Sequence, residues 1–140
     1  MKDRIFFDTN ILVYGFDDSN EAKYEVASDC IMRAWQKGFG VISTQVLKEF
    51  YVTVTRKIPQ KMSLDDAEQV IRDFSLWTVV ETNVPLILQA IHIQKRNLLS
   101  FWDAMVVAAA KVSRCETMFT EDLSHNTFID DVQILNPFKQ

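Results

Sequence analysis

Acids stand at three informative places in this chain. Asp8 directly follows the apolar run Ile5-Phe6-Phe7, Glu121 and Asp122 follow Thr117-Met118-Phe119-Thr120, and Asp103 lies just after Ser100 at the start of an alanine-rich stretch. Carboxylates brought within about 5 Å of one another repel by roughly 3 kcal/mol per pair at an effective dielectric near 20. A hard divalent cation such as Mg2+ or Mn2+ removes that repulsion, prefers oxygen ligands and usually keeps waters that serve as nucleophiles. Acid clusters of this kind suit phosphodiester hydrolysis, because the metal both activates water and stabilises charge developing on phosphate.

The elements that must position these acids alternate between short apolar strands and helices. The pattern predicts strands at 4–7, 41–42, 77–81, 117–119 and 132–135. It predicts helices from about 10, over 20–37 and 45–56, from Ser63 to near 76, from Thr82-Asn83 to about 97, and from Ser100 through 111. Such alternation points to an α/β fold with a largely parallel sheet covered on both faces. Ligands in that architecture sit beyond the carboxyl ends of the strands, so the acids trailing two central parallel strands land on one rim. Asp103, in the first turn of its helix, faces the favourable end of the helix dipole.

Each acid also has a local explanation. Asp8-Thr9-Asn10 are all good helix caps, Asp103 fits a capping box with Ser100, and Thr120-Glu121-Asp122 fits a polar turn. Glu49 lies outside the apolar stripe of Val46, Leu47, Phe50, Tyr51 and Val54 and reads, alone, as solvated. The pairs Asp17-Asp18, Asp65-Asp66 and Asp130-Asp131 read as turn, cap and surface residues.

At 140 residues, 48% apolar and 24% charged, with three Gly and three Pro, the chain fits one packed domain over 1–140. Its net charge of −4 argues against gripping nucleic acid by bulk electrostatics, although an acidic site that binds cations carries negative charge of its own. No apolar run approaches the roughly 20 residues of a membrane span, and Asp8 interrupts any leader-like core, so a cytoplasmic protein with no membrane partner is expected. Cys30 and Cys115 are in no metal-ligand spacing and are expected to stay reduced.

Together these segments resemble the PIN-domain family of metal-dependent ribonucleases, and most closely its VapC-like toxins of toxin–antitoxin pairs. F-F-D-T-N-I-L-V-Y, S-T-Q-V-L-K-E-F, S-F-W-D-A-M-V-V-A-A-A and M-F-T-E-D-L carry the resemblance in order, and V-Q-I-L-N-P-F looks like the last strand. Position by position it implies an acidic quartet of Asp8, Glu49, Asp103 and Asp122, which would be both catalytic and metal-binding. Thr9, Asn10, Thr120 and Glu121 would support it. It implies a three-layer α/β/α sandwich, a Mg2+ or Mn2+ cofactor, in-line attack of water on an RNA phosphodiester, an antitoxin partner and a homodimer.

Arg56, Lys57 and Lys61, in R-K-I-P-Q-K, form the one compact basic cluster and could position phosphates from a loop, or simply solubilise it. Tyr14 and Phe16 could stack on a base, with core packing the alternative. His92, among Leu88, Ile91 and Ile93, reads as packed with a hydrogen-bond partner; His125 follows the T-E-D segment closely enough to approach substrate. Two phosphoryl-site rivals fail: Asn10 stands where a haloacid-dehalogenase-type phosphatase needs its second acid, and the response-regulator pattern of paired acids and a late lysine is missing. A non-catalytic RNA- or protein-binding module and a housekeeping RNA-processing nuclease remain as alternatives.

Overall fold

The computed structural model describes residues 3–139. In chain order its elements are β1 (Ile5–Phe7), α1 (Thr9–Tyr14), α2 (Glu21–Lys37), β2 (Gly40–Ser43), α3 (Thr44–Arg56), α4 (Leu64–Phe74) and β3 (Thr78–Val80). They continue with α5 (Val84–Asn97), α6 (Phe101–Val112), β4 (Thr117–Phe119), β5 (Thr127–Ile129) and β6 (Val132–Leu135). Each of these helices starts on an Asp, Asn or Ser whose side chain accepts a hydrogen bond from an otherwise orphaned backbone N–H. The cap residues of the last five, Asn20, Ser43, Ser63, Asn83 and Ser100, all bond the third residue of the first turn.

The strands form one six-stranded sheet in the order β3-β2-β1-β4-β6-β5, parallel except for the β5–β6 pair. From β1 the chain steps outward to β2 and β3, then crosses back to place β4 on the other side of β1. With right-handed crossovers, that reversal puts α1 to α4 on one face and α5 and α6 on the other, giving the expected three-layer sandwich. Helices α2 and α3 both pack on α1, and α4 packs on α3, while α5 pairs with α6, which runs across β2, β4 and β6. In α6 every residue from Ala104 to Ala110 is buried, and its alanines let the helix lie close against the sheet. The deepest bulk is aromatic: Phe6, Phe7, Phe50 and Phe74 are at most 1% exposed. Gly40 makes room for Trp77, since a Cβ there would fall 2.6 Å from the indole.

The structure corrects three sequence expectations. β5 was not anticipated; it forms a hairpin with β6 through Asp130 and Asp131, both at positive φ (49° and 70°). Two left-handed residues are what a tight hairpin turn needs, and Asp tolerates that conformation better than most residues. Asp130 is therefore not a plain surface acid. It accepts hydrogen bonds from Arg96 and Asn97 of α5, and Lys111 of α6 lies 3.4 Å away. The Arg96 hydrogen bond is the main reason its carboxyl is held down to about 2. His92, thirdly, is exposed, because Leu86, Ala90 and Ile93 take the inward face of α5.

Asp130→Ala should lower stability by about 1–3 kcal/mol, read as a reduced urea midpoint, because one change removes the acceptor shared by Arg96 and Lys111 and one of the two acceptors of Asn97. The folded pKa lies below the ordinary value, so this contribution is present above about pH 4 and is lost as pH falls towards 2.

Candidate active site

The neighbouring strands β1 and β4 are where the sheet order reverses, and such a switch point opens a crevice at the carboxyl ends of the strands. Their register pairs Phe7 with Phe119, so the next residues, Asp8 and Thr120, are delivered side by side. Asp8 does two things at once. Its Oδ1 caps α1 by accepting from the Thr9 N–H at 2.8 Å, and its Oδ2 accepts from the Thr120 hydroxyl at 2.8 Å. The cap and the site acid are one residue.

Asp8 is 5% exposed and Thr120 fully buried. Burial is the main force pushing the Asp8 carboxyl up to about 6; Thr120 and the Thr9 N–H oppose it, while the charges of Asp122 and Glu49 add to it. The Thr120 oxygen also accepts from the Asp122 N–H at 3.1 Å, so one hydroxyl links the acid after β1 to the acid after β4.

Asp122 opens onto the rim, and its carboxyl is raised by desolvation and by Asp103, Glu121 and Glu49, against the pull of Asn10. Asn10 Oδ1 accepts from the Glu121 N–H at 3.4 Å. Its buried Nδ2 reaches no hydrogen-bond partner, yet lies near enough to Asp122 to favour the ionised carboxylate. Glu49 arrives from α3, exposed, with Oε1 accepting from the Thr9 hydroxyl at 2.6 Å. Asp103 is half-buried in the first turn of α6; Ser100 Oγ accepts from its N–H, leaving the carboxylate to act on Asp122.

Glu121 is occupied elsewhere. Its Oε2 is 2.7 Å from Lys23 Nζ, and its Oε1 accepts from the Tyr14 hydroxyl at 2.9 Å. Lys23 also stands 4.8 Å from the Tyr14 ring centre and 5.3 Å from that of Phe138, a cation–π setting that fixes the ammonium. Nothing in the sequence near Glu121 pointed to Lys23, since the two are 98 residues apart.

A cleft of about 340 Å³ opens beside these groups; Thr9, Asn10, Tyr14, Glu49, Lys57, Glu121 and Asp122 line it, whereas Asp8 and Asp103 are not on its wall. Of the three basic residues in R-K-I-P-Q-K only Lys57 lines it; Arg56 ends α3 and Lys61 lies in the segment before α4, both exposed. Tyr14 belongs to the cleft, whereas Phe16 packs edge-on against Phe50 and Phe74. His125 serves the backbone: its Nδ1 accepts from the Asn136 N–H at 2.9 Å. Cys30 and Cys115 are free thiols.

The donor set is all oxygen and net negative, which suits a hard divalent cation. Among the described residues no three of these acids are drawn together into a finished cage. Glu49 is hydrogen-bonded to Thr9 instead, and Glu121 to Lys23.

The chain matches the PIN domain family model over residues 5–128 and belongs to that family. Solved structures of the same fold include a toxin–antitoxin complex from Klebsiella pneumoniae, at 18% identity and TM-score 0.68, covering 95% of this chain and 97% of that one. VapC20 of Mycobacterium tuberculosis, described as a toxin cleaving the sarcin–ricin loop, aligns at 20% identity and TM-score 0.63 over 81% and 86% of the two chains. FitAB bound to a DNA fragment aligns at 17% identity and TM-score 0.74 over 97% and 96%. Comparison with curated protein sequences gives no match. Among the described residues no helix is long and apolar enough to cross a membrane.

Proposed function

We propose that this PIN domain, read as the single domain 1–140, is a metal-dependent endoribonuclease and the toxin of a toxin–antitoxin pair. The observation that carries the reading is electrostatic. At the switch point of a PIN fold, the charges of Asp122 and Glu49 add to the burial that raises the Asp8 carboxyl, and those of Asp103 and Glu49 add to the burial that raises Asp122, so four separate parts of the chain bear on one place.

Asp8, Glu49 and Asp103 would hold Mg2+ or Mn2+, directly or through water, and Asp122 would complete the site or bind a second ion. When bound, the metal supplies Lewis acidity, lowering the pKa of water and offsetting charge on the scissile phosphate. The chain supplies the rest. Thr120 and the Thr9 N–H favour the ionised form of Asp8 against its burial, the form a cation needs. Thr9 orients Glu49, Asn10 supports Asp122, and Lys23 pairs with a fifth carboxylate, Glu121, whose charge still bears on Asp122. Lys57, on the wall of the cleft, is placed to meet an incoming phosphate.

Support for a partner comes from a solved structure of the same fold described as a toxin–antitoxin complex. An antitoxin segment covering the cleft, and pairing of two copies, are the arrangements the proposal implies. An open groove of about 710 Å³ where α3 meets α4, walled by Leu47, Tyr51, Val52 and Leu64, offers apolar surface for such a partner.

Cleavage of a panel of transfer and structured RNAs in Mg2+ or Mn2+ tests the proposal. Wild type should cut and lose activity in EDTA, and Asp103→Asn should cut at least about a hundredfold more slowly, the scale of losing one electrostatic stabiliser. The rival, a binding module, takes support from the unassembled donors. It predicts RNA or protein binding with no cutting by either chain and no response to EDTA.

A further inference from the structure

A second concavity of about 510 Å³ adjoins the acidic cleft, and Glu49 lines both. Its other walls include Gln45 and Lys48 from the start of α3, Thr82 before α5, and Phe101 and Trp102 from the first turn of α6. Trp102 is 63% exposed, so the core does not account for an indole there. Half-buried Phe101 meets it edge to face, with ring centres 5.2 Å apart, and steadies the ring. Lys48 and Glu49 are consecutive, as are Trp102 and Asp103. The helical turns that carry Glu49 and Asp103 therefore also carry an ammonium and an aromatic face to this groove.

We infer that this groove is a nucleobase subsite, in which an unpaired base of the RNA next to the cleaved phosphodiester stacks on Trp102. The inference rests on the nuclease reading and deepens it. An exposed π-face, a nearby cation for backbone phosphate and amide and hydroxyl groups for a base edge are what single-stranded RNA recognition uses. An apolar protein contact would use the indole but not Lys48, Gln45 and Thr82, and the wall shared through Glu49 places any occupant within reach of the acids. Stacking needs an unpaired base, so the subsite selects loops and single strands over duplex.

The test compares wild type, Trp102→Ala and Trp102→Phe as full chains. The probe is a pool of random-sequence 20-nucleotide single-stranded RNAs in Mn2+, with KM and kcat measured separately. Trp102→Ala should raise KM roughly 5- to 100-fold, the scale of one lost base stack, and Trp102→Phe should recover most of the loss. RNA should quench indole emission of wild type more than that of Trp102→Phe.

Wild type that cuts, with Trp102→Ala equal to it in KM, overturns the subsite and leaves the nuclease standing. Wild type that neither binds nor cuts any RNA overturns both. A fall in sedimented mass of Trp102→Ala, with the KM of the dissociated chain unchanged, assigns Trp102 to contact between copies and overturns the subsite. Urea midpoints within error of wild type are expected for both variants and exclude unfolding as the cause.

Discussion

Asp8→Asn is expected to yield a chain that is more stable than wild type at pH 7.5 in EDTA and that no longer cleaves RNA. The Asp8 carboxyl ionises near 6 in the folded chain, against an ordinary value of 3.8, chiefly because it is buried. A group raised on folding contributes stability that is fully present below its unfolded pKa and is lost as pH rises through the folded one. Without metal, wild type should therefore weaken between about pH 4 and pH 6, by up to about 3 kcal/mol for a shift of about two units.

Asparagine carries no charge to desolvate, and its oxygen can still accept from the Thr9 N–H. The variant should regain about 1–3 kcal/mol at pH 7.5 and lose most of the slope between pH 4 and 6, read from urea midpoints across that range. Cleavage should fall by at least about a hundredfold, since the most buried oxygen donor has lost its charge. A variant that is less stable than wild type and keeps the slope would show that Asp8 is not the strained acid of the site.

Phe7→Ala should cost about 3–5 kcal/mol, a large share of the 5–15 kcal/mol typical of a domain this size. Phe7 is fully buried and makes edge contacts with Trp77 and Phe119, at ring-centre distances of 5.1 and 5.3 Å. It is the last residue of β1 and pairs in register with Phe119, so it also fixes where Asp8 meets Thr120. Chemical denaturation should show the loss in midpoint. A chain that keeps wild-type stability would mean that the rings around Phe7 close the cavity, contrary to its close packing against Trp77 and Phe119.

Much of this was legible in the order of residues. The runs Ile5-Phe6-Phe7 and Thr117-Met118-Phe119 are short, apolar and followed by acids, and the parallel pairing of β1 with β4 turns that pattern into one rim. The Ser and Asn caps marked several helix starts for the same local reason. Glu49 was not legible from helical periodicity, because a side chain off the apolar stripe faces solvent or a cleft alike, and only the resemblance placed it.

Long-range partners were hidden for a similar reason. Lys23 with Glu121, and Asp130 with Arg96 and Lys111, are pairs whose members come from different elements, and no local pattern encodes them. The dipeptide Asp130-Asp131 is a weaker turn signal than one with Gly, so the antiparallel β5–β6 hairpin went unread. Trp102 was not singled out, since sequence alone does not separate a buried indole from an exposed one.

If Asp8, Glu49, Asp103 and Asp122 hold divalent metal as proposed, calorimetric titration of the metal-free protein with MnCl2 near pH 6 should register it. Wild type should bind Mn2+ with release of a proton from Asp8, seen as heat that depends on the ionisation enthalpy of the buffer, and Asp8→Asn should lose that binding while staying folded. Wild type without Mn2+ binding, or a variant that binds as wild type does, would contradict the account.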